Sequence, residues 1–319
     1  IRLDARTGLH PELKGLMPLW EKNELAIVQG VGYPEPNLSH FRSIEIWDTA
    51  SKSQEYLSSG WVTRAMQAGL ASRTRFTAEG VFIGGNALGP LAQSRAVALN
   101  NPVAFVNQVR GMDAAATTAR ANPALQHLLK VESDMQTAAL GLRAEPFNFA
   151  TVFPQGGFGN AVRACVQVVA SQQSGRGGVP VIVLTLGSFD THQNQLPQHA
   201  NLLRQLAEGV AALKSALTEL NAWDRSLVMT FSEFGRRARQ NQSGGTDHGT
   251  AAPHFVAGGA VRGGLFGQAP DLQRLDAGQN LVHAVDFRQL YATVARRWWG
   301  VDAQAVVRGQ FDEIGFLRG

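Results

Sequence analysis

The sequence contains a single cysteine, Cys165, so no disulfide can form within the chain. Long apolar runs are also missing, and no stretch approaches the ~20 residues that a membrane-spanning helix needs. Charged residues make up only 17% of the chain, whereas 44% of it is hydrophobic. This balance argues against a disulfide-rich scaffold, a membrane span and a charged disordered segment, and it predicts a sizeable core with Cys165 inside it.

The excess of basic residues is small, with a formal net charge of +4. The basic residues do not alternate with aromatic residues, as they do in many nucleic-acid-binding surfaces. The charge balance therefore predicts no nucleic-acid partner. It is compatible with a mild preference for anionic ligands or with ordinary surface charge.

Apolar runs typical of buried strands alternate with amphipathic stretches typical of helices. Buried strands are predicted at 25–29, 80–84, 179–186, 226–231 and 254–257. Such alternation predicts an α/β fold with a mostly parallel central sheet and helices on both faces. The Ala-rich block 101–142 predicts a helical excursion from this sheet.

Acidic and histidine residues follow the predicted strands, where ligands of such sheets bind. Asp190 and His192 follow the strand at 179–186, Glu233 follows the strand at 226–231, and Asp247 and His248 lie between glycines. Each place alone is compatible with a solvated loop, but together they predict one metal site. Carboxylate and imidazole ligands suit Zn²⁺, Mn²⁺ or Fe²⁺ better than Ca²⁺.

Ser39 lies where the N-cap of the following helix is expected. Backbone N–H groups and the positive end of the helix dipole would stabilise an anionic ester or an alkoxide there. Ser39 is therefore a candidate nucleophile or a simple cap, and His40 is a candidate base, metal ligand or buried helix residue. Arg42 and Arg236 are candidates for holding an anion in a fork of donors.

Four motifs occur in order along the chain: Pro36–Ser43, Phe189–Gln195, Phe231–Arg236 and Gly245–Gly249. They resemble the uncharacterised bacterial family known as domain of unknown function 1501. The closing segments Val285–Tyr291 and Trp299–Val301 are similar as well, so the resemblance covers nearly the whole chain.

That family is similar to the alkaline phosphatase superfamily, with sulfatases and cofactor-independent phosphoglycerate mutases as relatives. The resemblance implies an alkaline phosphatase-like three-layer sandwich with one or two divalent metals (Zn, Mn, Mg or Ca) at strand ends. It implies that Asp190, His192 and His248 are ligands, with Asp247 beside them, and that Ser39 is the nucleophile. Glu233 stands where relatives have an Asp.

Two departures from the family pattern bear on this expectation. Relatives begin with a strand that ends in a metal-binding Asp, and this chain starts after that strand, so 1–319 is expected to be a single domain without it. Glu233-Phe234 replaces the relatives' Asp-His pair, and the number of metals therefore stays open. Family members often carry a twin-arginine export signal, which implies a periplasmic or secreted protein.

These features lead to two hypotheses. The first is a metal-dependent hydrolase of a phosphate or sulfate ester, on a small molecule or a polymer, in which Ser39 or water attacks the ester. The alternative is a non-catalytic binding or assembly protein on a degenerate hydrolase scaffold, which the absent first strand and the altered pair favour.

Overall fold

The structure of the protein, a computed structural model, describes residues 1–71, 76–85, 88–112, 123–143, 145–172 and 178–319. The strands are β1 (Leu25–Gly32), β2 (Gly80–Ile83), β3 (Ala96–Leu99), β4 (Ile182–Leu184), β5 (Val228–Met229), β6 (Ala252–Ala257), β7 (Gly264–Gly267) and β8 (Val285–Asp286). The α-helices are α1 (Met17–Glu21), α2 (His40–Thr49), α3 (Trp61–Ala65), α4 (Pro102–Arg110), α5 (Pro123–Gly141), α6 (Gly157–Gln172), α7 (Gln195–Glu219), α8 (Phe287–Thr293) and α9 (Ala303–Val307). Short 3₁₀ helices cover Pro11–Leu16, Gly89–Leu91 and Trp223–Arg225, and π-helical turns extend α3 and α8 over Met66–Leu70 and Val294–Trp298.

The strands form two sheets, whereas one mostly parallel central sheet was expected. The five-stranded sheet has the order β5-β6-β1-β7, and β8 also pairs with β1. In it β6 is antiparallel to both β1 and β5, while β7 and β8 are parallel to β1. The three-stranded sheet, β3-β2-β4, is parallel throughout.

The direction of β6 explains why the five-stranded sheet is not parallel throughout. Antiparallel neighbours can be joined directly, whereas parallel neighbours need a crossover that is usually a helix. Residues 230–251, between β5 and β6, contain no helix. Strand–helix alternation in the sequence therefore holds up to β5 and fails after it.

Strand β1 lies between two hydrophobic cores, because alternate side chains of a strand point to opposite faces. Leu25 and Ile27 belong to one core, which the helices α4 to α7 cover. Ala26 and Val28 belong to the other, which α2, α3, α8 and α9 cover. The protein is thus a mixed α/β fold with helices against both faces of its central strand.

The second core is rich in aromatic rings that fix α2 against α8. Trp47 of α2 stacks on Phe287 with ring centroids 4.2 Å apart, and Trp61 stacks on Tyr291 at the same distance. Trp47, Phe287 and Tyr291 are fully buried. Each such side chain contributes roughly 1.5–3 kcal/mol through burial, so α2 is held firmly where its first turn reaches the site described below.

A bulge lengthens β1 beyond the expected strand at 25–29. Gly30 has a positive φ of 66°, which glycine adopts without strain, and the register of β1 against β6 shifts between Val28 and Val31. The strand consequently continues to Gly32, and the loop that leads to α2 starts later than the glycines and prolines suggest.

Two strands are shorter than their apolar runs. The run at 179–186 forms a strand only at Ile182–Leu184, and the run at 226–231 only at Val228–Met229. Loops that carry polar side chains follow both strands, although the Thr230 N–H directly after β5 still donates to the Phe255 carbonyl of β6.

The helical excursion is present as α4 and α5, and residues 113–122 between them lie outside the described part of the chain. Cys165 is buried in α6, as expected, and burial raises the pKa of its thiol to about 12. Across the described residues, no helix combines the length and the apolar character needed to cross a membrane.

Candidate metal centre

Polar side chains from three segments of the chain meet at one end of the sheets and form an acid–histidine cluster. Its members are His40, Asp190, His192, Glu233, Asp247 and His248. One member lies at the start of α2, two follow β4, one follows β5, and two precede β6. The five residues expected to hold a metal are therefore brought together, and His40 joins them.

Backbone hydrogen bonds connect the loops that carry these side chains. The Thr246 N–H donates to the Thr191 carbonyl at 3.2 Å, and the Gly249 N–H donates to the Gly235 carbonyl at 2.7 Å. A Cβ on Gly245 would lie 2.1 Å from the carbonyl carbon of His192. Glycine is thus required there for one loop to approach another.

Asp190 is the centre of the cluster. Its Oδ1 accepts a hydrogen bond from Arg236 Nη1 at 2.6 Å and lies 2.9 Å and 3.0 Å from Nε2 of His192 and His248, while Oδ2 lies 3.1 Å from Nε2 of His40. Partial burial raises the pKa of Asp190, but the hydrogen bonds from Arg236, His248 and His40 outweigh it and lower the pKa to about 2. The carboxylate is therefore ionised at neutral pH.

His40 bridges two carboxylates. Its Nδ1 lies 2.8 Å from Glu233 Oε1, and its Nε2 faces Asp190. Burial on its own lowers the pKa of His40, but the hydrogen bonds to Glu233 and Asp190 raise it above the ordinary value. The carboxylates of Glu233 and Asp190 thus favour a positive charge at His40.

The tautomer of His248 is set by a backbone carbonyl. His248 Nδ1 lies 2.8 Å from the Leu38 oxygen, which can only accept, so Nδ1 is a donor. In the neutral form of the ring Nε2 then carries the lone pair, whereas a hydrogen bond from Nε2 to Asp190 requires the doubly protonated form. His192 has the same arrangement, with Nδ1 3.2 Å from Asp247 Oδ1. The two Nε2 atoms lie 3.1 Å apart, beside the Asp190 carboxylate. Three lone-pair-bearing atoms this close repel one another unless a proton or a cation lies between them.

The donor set fits a small divalent cation. One ligand atom each from His40, Asp190 and His248 lies within 4.8 Å of the others, so this His-Asp-His group could hold a metal ion. Two ligands about 2.0–2.1 Å from a tetrahedral zinc ion are about 3.3 Å apart. The Nε2 atoms of His248 and of its neighbour His192, which is not a member of this group, are 3.1 Å apart. The Asp190 side chain is 41% exposed, and a ligand can therefore reach it from solvent.

Of the two arginines expected to hold an anion, one lies at the cluster and the other does not. Besides Asp190, Arg236 contacts Thr246 through Nε at 3.1 Å and through Nη2. Arg42 is buried, and its guanidinium donates to the carbonyls of residues 52, 53 and 55 and covers the Tyr56 ring at 3.9 Å. None of its contacts within the described residues is with the cluster. The structure therefore corrects the expectation for Arg42, which ties α2 to the following loop.

Ser39 occupies the N-cap position of α2, as the sequence predicts. Its side chain makes no capping hydrogen bond and is exposed, although its N–H donates to Asn37 Oδ1 at 2.9 Å. The carbonyl of the preceding residue, Leu38, contacts His248 Nδ1. Ser39 is therefore adjacent in the chain to a residue that contacts the cluster.

Asn241, which the sequence did not single out, and Phe234 complete the site. Asn241 Nδ2 donates to the His192 carbonyl at 2.9 Å and to Asp247 Oδ1 at 3.2 Å. The hydrogen bond from Asn241 to Asp247, followed by the one from His192, lowers the pKa of Asp247. Phe234 packs against the rings of His248 and His40, with centroids 4.3 Å and 4.9 Å away. The turn sequence that follows Asn241 was the available signal for that residue, whereas Phe234 was noted only because it stands where relatives have a histidine.

The family described as Protein of unknown function (DUF1501) matches residues 26–312 of the chain. Two solved structures are similar to it: Ps i-CgsB in complex with k-i-k-neocarrahexaose, and Ps i-CgsB alone. The first is 12% identical with a TM-score of 0.42 and covers 92% of this chain and 69% of that chain; the second is 13% identical with a TM-score of 0.40 and covers 93% and 67%. No curated protein matches the chain.

Proposed function

Since the chain belongs to the DUF1501 family, we propose that it is a metal-dependent hydrolase of a phosphate or sulfate ester, related to the alkaline phosphatase superfamily and built as the same three-layer sandwich. The ligands in this proposal are Asp190, His192 and His248, assisted by His40. Glu233 and Asp247 hold the two histidines nearest to them.

One observation supports the proposal most strongly. The Nε2 atoms of His192 and His248 point at each other and at Asp190 within 3.1 Å, while the Nδ1 atom of each ring contacts an oxygen acceptor. Metal-binding histidines are typically oriented in this way by an acceptor on the second ring nitrogen.

Ser39 is the proposed nucleophile. Its exposed hydroxyl is free of the helix that it precedes, and it lies at the positive end of α2, a ten-residue helix. Attack forms a bond from Ser39 Oγ to phosphorus or sulfur and breaks the bond to the alcohol oxygen, which takes up a proton; water then releases the acid group. When bound, a divalent cation supplies positive charge that polarises the ester and lowers the pKa of a hydroxyl group.

Arg236 has a positioning part in this proposal. Its guanidinium holds Asp190 from one side and Thr246 from the other, so the carboxylate is fixed in the orientation in which Oδ1 faces the two histidines. It also keeps positive charge beside an anionic ester.

A location outside the cytoplasm, in the periplasm or secreted, is part of the proposal and is supported by the family resemblance alone. Expression of the natural gene with its upstream region, followed by fractionation, tests it. Recovery of the protein from the cytoplasmic fraction alone would contradict it.

Metal analysis joined to an activity panel tests the function. The purified protein is expected to hold a divalent metal and, with Mn²⁺ or Zn²⁺ added, to hydrolyse members of a panel of aryl phosphates and sulfates. Asp190→Asn keeps the side-chain size but removes the anionic ligand, and it should weaken metal binding at least about 100-fold. Asp312→Asn, an exposed acid elsewhere, is the matched control.

The outcomes separate the two functional hypotheses. Absence of metal and of turnover would contradict the hydrolase. Metal binding without turnover of any ester would favour the binding or assembly protein on a degenerate scaffold.

A further inference from the structure

A second feature lies next to the acid–histidine cluster, at the carboxyl ends of β2 and β4. It is an open cavity of about 540 Å³ between these strand ends and the helices α6 and α7. Its polar lining consists of Thr185, Ser188, Gln198, Asn201 and Gln205, and we name it the amide-lined cavity. Ser188 of the cavity precedes Asp190 of the cluster by two residues, so their Cα atoms are at most about 7 Å apart.

We propose that the amide-lined cavity binds an uncharged sugar residue of the substrate. The proposal deepens the proposed function and rests on it: the ester group lies at the acid–histidine cluster, and the sugar that carries the ester lies in the cavity.

The chemistry of the lining carries the proposal. Among the residues that the structure describes, no Asp, Glu, Lys, Arg or His side chain lines the cavity, so an ionic ligand would find no counter-charge in this part of the wall. Amide and hydroxyl groups offer both donors and acceptors, which match the hydroxyl groups of a sugar because each of these also donates and accepts. Phe158 adds one aromatic ring, against which the apolar face of a sugar ring can pack.

Several polar groups of the lining are available for a ligand. Within the described part of the chain, the side chains of Thr185, Ser188 and Gln205 make no hydrogen bond. Gln198 and Asn201 are partly engaged, since Gln198 Nε2 donates to the Gln193 carbonyl at 3.1 Å and Asn201 Oδ1 accepts from Arg204 at 2.6 Å. Unpaired donors and acceptors at the wall of a cavity favour a ligand with many hydroxyl groups.

Glycines widen the cavity at three points. Gly84 follows β2, Gly187 follows β4, and Gly157 begins α6, and a Cβ added to any of them would meet no atom of the described residues within 4 Å. A ring can therefore approach the backbone closely. A fourth glycine, Gly209, leaves room for the Phe158 ring, because a Cβ at that position would lie 2.4 Å from the ring.

Saturation-transfer NMR on the full chain tests the inference, with neutral tetrasaccharides of glucose, galactose, mannose and xylose as probes. At least one probe should bind, and binding should persist after metal removal with a chelator. Thr185→Val keeps the shape but loses the hydroxyl, and Gln205→Leu loses the amide. Each should weaken binding about five- to tenfold, the effect of one lost hydrogen bond.

Gln304→Leu, an exposed glutamine on α9, is the matched control and should leave binding unchanged. The inference is overturned if no neutral saccharide binds, if both cavity variants bind as the parent does, or if inorganic sulfate displaces the sugar. Sugar binding without ester hydrolysis would overturn the proposed function alone, whereas ester hydrolysis without sugar binding would overturn this inference alone.

Discussion

The acid–histidine cluster and the amide-lined cavity share the loop after β4 but are built in opposite ways. In the cluster, titratable side chains contact one another, and glycines such as Gly245 press loop against loop. In the cavity, the lining is uncharged, and glycines such as Gly187 face open space. The difference indicates that the fold holds the side chains of the cluster, which would react, in fixed positions and leaves open space in the cavity, where a substrate would be recognised.

Among the variants that test this contrast, Ser39→Ala is expected to have the largest effect, which is on kcat. The variant loses the proposed nucleophile and keeps every side chain of the cluster, so kcat should fall about a thousandfold or more while metal content stays the same. Steady-state kinetics and elemental analysis measure the two quantities. Unchanged kcat would assign the attack to water and leave Ser39 as a simple N-cap.

Acid should affect the sheet beneath the cluster through His254. His254 is buried in β6 with its Nε2 unpartnered, and burial lowers its pKa to about 4. In the unfolded chain this histidine has a pKa near 6.5. Between about pH 4 and pH 6.5 it is therefore protonated in the unfolded chain but neutral in the folded chain. Stability should therefore fall as pH drops from about 6.5 to about 4, by about 3 kcal/mol in total.

His254→Gln should remove most of this loss, as urea unfolding at pH 7 and pH 4.5 would measure. His127→Gln, on the exposed surface of α5, is the control and should keep the parent's dependence. An unchanged dependence in the His254 variant would show that other groups carry the acid sensitivity.

A pair of glycine variants gives the smallest effect and compares the two regions directly. Gly245→Ala would drive a Cβ against the His192 backbone and should cost about 1–3 kcal/mol and disturb metal binding. Gly187→Ala points its Cβ into open space, so stability should change by no more than about 0.5 kcal/mol. Thermal unfolding with metal titration measures both; equal losses would contradict the contrast between a packed cluster and an open cavity.

The sequence predicted the cluster better than the sheet that supports it. Asp190, His192, Glu233, Asp247 and His248 could be found because each follows or precedes an apolar run in a segment of polar and glycine residues. The antiparallel return of β6 against β1 brings Asp247 and His248 to the end of β1 that leads to α2, and no local pattern encodes this return. Asp190 and His192 follow β4, which belongs to the other sheet.

The amide-lined cavity and the part played by Arg42 could not be predicted in the same way. Gln205 and Asn201 resemble ordinary solvent-facing residues of α7, and only the position of β2 relative to β4 gives them a shared space. Arg42 follows the candidate nucleophile by three residues, yet its carbonyl partners come from the next loop, whose path depends on the packing of α2.

Anomalous X-ray scattering from crystals of the protein grown with Mn²⁺ or Zn²⁺ tests the metal centre most directly. We expect a peak in contact with Asp190 and with Nε2 of His248, and no peak at that position in Asp190→Asn. Scattering that is absent from the cluster, with Asp190 bound only by Arg236 and the histidines, would contradict it.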